Sequence, residues 1–290
     1  MLLPDCKKEC LFTLFIKSFS KFAFPIVLAC LQVWDNTKEM KVTIIQQNIV
    51  WNNVAANLKE MARLIKKAEK ADIYLFPEMC STGFCMQPQG VAEPVDGPTV
   101  QQFRLWAKEY DAAIAGTVMT RESDAVYRNR MYFVTPDGAV RYYDKCHLFE
   151  YSGEDKVYTP GDKKVIWEWR GVRVRPVICY DIRFPIFLHN KGDYDMLLIS
   201  ANFPESRMLA WDTLIRARAI ENQCYVAASN RVGSDGFGTY VGHSVILNPY
   251  GQEIARCRSR YQGSATAGLE WEMMERLRRN FPVLENDKDL

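Results

Sequence analysis

The chain has 290 residues, 48% of them hydrophobic and 25% charged, with a formal net charge of +2. That is an ordinary globular composition, long enough for one large α/β domain or two small ones. So small a net charge, with no run of like charge and no low-complexity tract, argues against nucleic acid or an acidic membrane as partner.

Residues 1–39 read differently from the rest. The stretch 11–34 is apolar but broken by Lys17 and Lys21, a poor membrane span. Residues 22–30 resemble the apolar part of a signal segment, and Val27-Leu28-Ala29-Cys30 resembles a lipoprotein cleavage box. The preferred reading makes Met40 the true start and residues 1–39 an extension outside the fold. Met40-Lys41-Val42-Thr43-Ile44-Ile45-Gln46 opens like a first core strand. The domain is read as residues 40–284, followed by a tail, 285–290.

From Val42 strands and helices alternate. A strand over 42–47 precedes a helix over 54–70, with Leu58, Met61, Leu64, Ile65 and Ala68 recurring on one face. A short buried strand, 73–76, stops at Pro77-Glu78. After a loop rich in Gly and Pro come a helix near 99–110 and a strand over 112–119. Residues 127–135 and 139–143 read as a hairpin about Pro136-Asp137-Gly138. Gly153 and Pro160-Gly161 mark 145–162 as irregular loop. The second half repeats this grammar. Strands 165–169 and 172–178 flank Arg170-Gly171, and a buried strand, 196–200, leads to a helix over 208–221. Then come strand 224–228, paired strands 241–247 and 252–257, strand 265–269 and helix 272–279. The alternation implies a mixed sheet with helices on one or both faces, in one domain.

The β-branched run before Cys179 ends abruptly, and polar residues and Pro185 follow. Cys179 is therefore expected on a sharp strand-to-helix turn, its sulfur near a helix N-terminus that favours a thiolate. The alternative is a buried, inert core cysteine. Glu78 and Lys145 also follow strands, where open α/β sheets gather reactive groups. Taken singly, each reads as a surface charge. The nine cysteines include no CxxC pair and no Cys/His cluster at zinc spacing. Reduced thiols in a cytoplasmic setting are expected, with no metal and no cofactor.

Leu75-Phe76-Pro77-Glu78, Tyr143-Asp144-Lys145-Cys146-His147-Leu148-Phe149 and Ile178-Cys179-Tyr180-Asp181-Ile182-Arg183-Phe184-Pro185 together resemble the three signatures of the nitrilase (carbon–nitrogen hydrolase) superfamily. The likeness runs in order from Met40 to about Phe281. Arg216-Ala217-Arg218-Ala219-Ile220-Glu221-Asn222, Asn230-Arg231-Val232-Gly233 and Gly242-His243-Ser244 extend it. The wording of 167–171, 217–225 and 230–236 is most similar to the bacterial ω-amidase (YafV-type) branch.

This resemblance implies an α/β fold: a four-layer α-β-β-α sandwich with mixed sheets. It also implies an amide hydrolase working through a thioester acyl-enzyme. Cys179 would be the nucleophile and Glu78 the general acid–base. Lys145 would lower the thiol pKa and hold the oxyanion together with the backbone N–H of Tyr180. Glu154 matches the family's second glutamate, with Asp155 its neighbouring rival. The implied substrates are small dicarboxylic monoamides such as 2-oxoglutaramate and 2-oxosuccinamate. Arg183 and Arg207 are candidate donors to such a substrate's carboxylate, Arg183 being equally readable as structural. Homodimers or larger homo-oligomers are implied, with neither nucleic acid nor membrane as partner.

Arg216, Arg218 and Glu221 read as a structural ion-pair network. His147, conceivable as a base for the cysteine, is left without a role. Cys80, Cys85 and Cys146 are placed in or near the pocket, without metal partners. Two alternatives stay open: another amidase branch, acting on deaminated glutathione or an N-carbamoyl amine, and a silent binding protein of the same fold.

Overall fold

The computed structural model describes residues 40–286. The readings of residues 1–39 and of tail residues 287–290 lie outside the described residues.

Two mixed sheets carry the structure. The first has the order β15-β1-β2-β4-β5-β6, formed by β1 (Met40–Gln46), β2 (Ile73–Leu75), β4 (Ala113–Ser123), β5 (Val126–Val134), β6 (Val140–Asp144) and β15 (Gly263–Leu269), with β3 (Glu93–Pro94) pairing on β4. The second has the order β14-β13-β10-β9-β8-β7, formed by β7 (Trp167–Trp169), β8 (Val172–Ile178), β9 (Met196–Ala201), β10 (Tyr225–Asn230), β13 (Val245–Leu247) and β14 (Glu253–Arg256). In each, three parallel strands form the centre (β1, β2, β4 and β8, β9, β10) and antiparallel strands flank them. The repeated grammar of the sequence is thus two sheets rather than one.

Strand periodicity explains how they stack. Successive side chains point to opposite faces, and here both faces are apolar. Val42, Ile44, Ile73, Leu75, Met131 and Phe133 of the first sheet pack against Val174, Ile178, Met196, Leu198, Tyr225 and Ala227 of the second. The intervening Ile45, Tyr74, Phe76 and Ile114 face outward onto Met61, Leu64 and Ile65 of α1 (Val54–Lys67) and Phe103 and Trp106 of α2 (Pro98–Tyr110). Val177, Leu197, Ile199 and Val226 do the same against Trp211, Ile215 and Ala219 of α3 (Met208–Glu221). The result is the expected α-β-β-α sandwich. Each fully buried aliphatic or aromatic side chain contributes about 1.5–3 kcal/mol of transfer free energy.

Several boundaries move. Helix α1 stops at Lys67 because Ala68 is already extended, with φ −70° and ψ 156°. Residues 145–162 contain two short 3-10 turns, Glu150–Ser152 and Glu154–Lys156. The expected strand over 241–247 is interrupted: Gly242 (φ +82°) and His243 (φ +60°) turn the chain. A Cβ on Gly242 would fall 2.0 Å from Oε1 of Gln46, so glycine is required for that close approach. Before this break lies a hairpin the sequence reading missed, β11 (Val232–Asp235) with β12 (Gly238–Val241), a two-stranded sheet of its own.

A core shared by the two sheets predicts that Leu198→Ala lowers unfolding free energy by about 2–5 kcal/mol in urea titration. A loss below about 1 kcal/mol would mean that the sheets do not depend on one another there.

Candidate active site

Strand ends from both sheets build the site. After β2 the chain crosses to the other sheet: Ser200 Oγ donates to Phe76 O (2.7 Å), and Glu78 N donates to Ala201 O (3.3 Å). Lys145 follows β6, its backbone N–H donating to Asn129 O of β5 (3.0 Å) and its carbonyl accepting from Gly161 N (2.8 Å). Cys179 follows β8 directly with φ +42°, in the left-handed region that a cysteine rarely adopts.

Asp181 holds that turn in place. Its Oδ2 accepts from Ile178 N (3.1 Å) and from the Tyr143 hydroxyl (2.8 Å). Its Oδ1 accepts from His147 N (2.9 Å) and from His147 Nδ1–H (2.8 Å). A carboxylate only accepts, so this contact sets the imidazole tautomer. One buried side chain therefore ties the turn carrying Cys179 to the segment carrying Lys145. His147 is engaged there and stacked on Phe184, with ring centroids 3.7 Å apart.

Between the sheet ends lies a cluster of buried charge. Lys145 Nζ donates to Glu78 Oε1 (2.9 Å) and approaches both oxygens of Glu154 (3.1 and 2.9 Å). These side chains are 0–1% exposed, so each lone pair needs a donor. Asn129 Nδ2 donates to Glu78 Oε1 (2.8 Å) and Glu154 Oε1 (2.9 Å). Asn202 N donates to Glu78 Oε2 (2.9 Å), and Phe149 N to Glu154 Oε2 (2.6 Å). Asp155, the rival of Glu154, is exposed.

Burial works to depress the Lys145 pKa, but Glu154 and Glu78 outweigh it and hold the ammonium above the ordinary lysine value. Burial pushes Glu154 up, against the opposing pull of Lys145. Cys179 departs from its expectation. Burial first, and the Glu78 carboxylate next, raise its thiol well above the usual value, and Lys145 only partly offsets them. The expected helix dipole is also weak, because Cys179 opens a five-residue 3-10 turn (Cys179–Arg183) followed by only a four-residue helix (Pro185–Leu188). Burial and the neighbouring carboxylate thus both favour the protonated thiol, which shares the cleft lining with Glu78 and Asn202.

A cleft of about 280 Å³ opens onto this cluster, lined among others by Glu78, Lys145, Cys179, Tyr180, Arg183 and Arg207. Phe84, Phe149, Phe203, Phe237 and Tyr240 supply apolar walls. Tyr180 stands in the first turn after the cysteine, where leading N–H groups lack an acceptor within the turn. Arg183 lies over the rings of Tyr180 and Phe203, and Arg207 over that of Phe149. Neither guanidinium has a carboxylate partner among the described residues.

Cys80, Cys85 and Cys146, expected in or near the pocket, do not line this cleft. Cys80 packs on the outer face of the first sheet and Cys85 beside Met79 and Tyr158, whereas Cys146 borders the loop carrying Lys163. The Arg216–Arg218–Glu221 network is also looser than expected. Arg218 pairs with Glu221 (2.6 Å), but Arg216 reaches off the helix to Glu253 (2.9 Å). Among the described residues no group of three His, Cys, Asp or Glu side chains could hold a metal, and no helix is long and apolar enough to cross a membrane.

Asn129 and Asn202 were missed as site residues. The only sequence signal for Asn129 is an asparagine inside a strand, where that residue type is depleted.

A carbon–nitrogen hydrolase family model matches residues 41–279. The chain is 40% identical over 253 residues to the ω-amidase YafV of Yersinia enterocolitica, covering 87% of this chain and 98% of that protein. It is 35% identical over 260 residues to the 2-oxoglutaramate amidase of Bacillus subtilis, covering 87% and 100% respectively. Among solved structures, a CN-hydrolase superfamily protein of Xanthomonas campestris with an arsenic adduct in its active site superposes with a TM-score of 0.84 at 36% identity, covering 88% of this chain and 99% of that one.

The raised thiol sets the sign of a pH test. Alkylation of Cys179 by iodoacetamide in the free protein should keep accelerating as pH rises through about 9, because the thiolate is the reactive form. A plateau below about pH 7 would mean a preformed thiolate.

Proposed function

Because this chain belongs to the carbon–nitrogen hydrolase family and is a hydrolase acting on amides, we propose that it is an ω-amidase releasing ammonia from 2-oxoglutaramate or 2-oxosuccinamate through a Glu78–Lys145–Cys179 triad. The observation that carries this reading is the meeting of those three side chains, from three separate strand ends, on the lining of one cleft.

Glu78 takes the thiol proton as Cys179 Sγ forms a bond to the amide carbon, and the carbonyl electron pair moves onto oxygen. The ammonium of Lys145 has three N–H donors. Glu78 Oε1 and both oxygens of Glu154 accept from them at rest, so the oxyanion, beside the N–H of Tyr180, takes over one N–H from the two-oxygen Glu154 contact. Collapse of the intermediate breaks the C–N bond, and the proton held by Glu78 leaves with ammonia. Glu78 then deprotonates a water that cleaves the thioester, returning the proton to Cys179 as the oxo acid departs. Glu154 keeps Lys145 charged and aimed.

The unpaired cations support this substrate class. An ω-amide carries a carboxylate at the far end from its amide, and Arg183 and Arg207 offer donors to it on the same cleft wall. The names of the relatives agree with a dicarboxylic monoamide.

Cys179→Ala should release no ammonia from 2-oxoglutaramate while melting like the parent; a rate comparable to the parent's would end the triad reading. Arg207→Ala and Arg183→Ala should each raise KM for 2-oxoglutaramate about ten- to a hundredfold, the loss expected for one charge-assisted hydrogen bond, with little change for a neutral short amide. Equal effects on both substrates, or faster turnover of deaminated glutathione by the parent, would assign the cleft to another amide.

A further inference from the structure

We propose that Asn129 is a positioning residue, which holds Glu78 and Glu154 as two separate carboxylates about Lys145 so that Glu78 stays free to receive the Cys179 proton. This rests on the reading of Glu78 as proton carrier.

The geometry is a shared edge. Oε1 of Glu78 and Oε1 of Glu154 both accept from Lys145 Nζ (2.9 and 3.1 Å) and both accept from Asn129 Nδ2 (2.8 and 2.9 Å). Two oxygens bridged by the same two donors are neighbours, each held on its own N–H bonds. Neighbouring carboxylates raise one another's proton affinity, and a proton resting on Glu78 would take it out of service as a base. A single ammonium provides one positive charge for two acids. Asn129 supplies the second bridge without adding charge, and its two N–H bonds are consumed one per carboxylate.

The amide orientation is forced, since a flip would aim its oxygen at both acids. Asn129 is 1% exposed. The same residue also accepts Lys145 N–H at its backbone carbonyl (3.0 Å). Its main chain therefore sets where the lysine starts, and its side chain sets the carboxylates where the lysine ends. Asn129 also works against the burial that raises Glu154. The other titratable groups facing the pair are Cys179, Tyr158 from the loop after Glu154, and Tyr240 from β12.

The test compares parent, Asn129→Leu and Cys179→Ala on 2-oxoglutaramate from about pH 5 to 9, with thermal melts alongside. Asn129→Leu should lower kcat about ten- to a hundredfold with KM within about threefold, and should move the acidic limb of the kcat/KM profile to higher pH, because the two acids then protonate more readily. A melting temperature lowered without any movement of the limb would overturn the proposal, since a merely structural asparagine behaves that way. If Asn129→Leu does not fold, Asn129→Ser carries the same comparison. Its one hydroxyl donor serves one acid at a time, so it should show the same shift in smaller measure; a profile matching the parent's would overturn the proposal. Activity surviving in Cys179→Ala would overturn it by removing the triad reading beneath it. An inert Cys179→Ala beside a parent-like Asn129→Leu would overturn this proposal alone.

Discussion

Two carboxylates and one ammonium sit with almost no solvent exposure at the meeting point of the two sheets. Taking such ions out of water costs several kcal/mol apiece unless every lone pair and proton finds a partner. Here the partners come from far apart in the chain: Asn129 from the middle of β5, Asn202 from the end of β9, and the Phe149 amide from the loop after β6. None of these donors works if the strands of one sheet slip by a residue relative to the other. The apolar layer between the sheets supplies the register that a charged cluster of this kind demands. The cluster in turn holds the ends of those strands together, so site and core constrain each other.

The same economy appears at Asp181. One carboxylate satisfies a strand-end N–H, a loop N–H, an imidazole and a phenol. It occupies the third position of a turn whose first residue has an unfavourable positive φ. Backbone strain of this sort persists only where the surroundings over-determine it, and four hydrogen bonds converging on one residue do so.

Much of this was legible in the residue order. The strand-to-turn break at Cys179, the strand ends before Glu78 and Lys145, and the helix over 208–221 follow from periodicity and from where apolar runs stop. What escaped did so for physical reasons. A run such as Tyr127-Arg128-Asn129-Arg130 looks like an exposed strand edge, because sequence does not reveal that Asn129 faces two carboxylates brought from 51 and 25 positions away. The break at Gly242-His243 was invisible because its cause is the side chain of Gln46, on a strand of the other sheet. The thiol's raised pKa was misjudged because the helix N-terminus expected beside Cys179 and the lysine implied by the resemblance point one way. Burial and the Glu78 carboxylate, known only from the packing, point the other.

The hairpin of β11 and β12 stands apart from both large sheets, joined to the first half of the chain by a bridge between Asn48 and Val232. Its tip residue Phe237 leans on Trp51, with centroids 5.6 Å apart, and forms part of the cleft wall with Tyr240. Neither aromatic belongs to the inter-sheet layer, and of the two Tyr240 is the one that faces Glu78 and Cys179. Substitution at Phe237 therefore reshapes the wall of the cleft while leaving the hydrogen-bond donors to the buried ions in place.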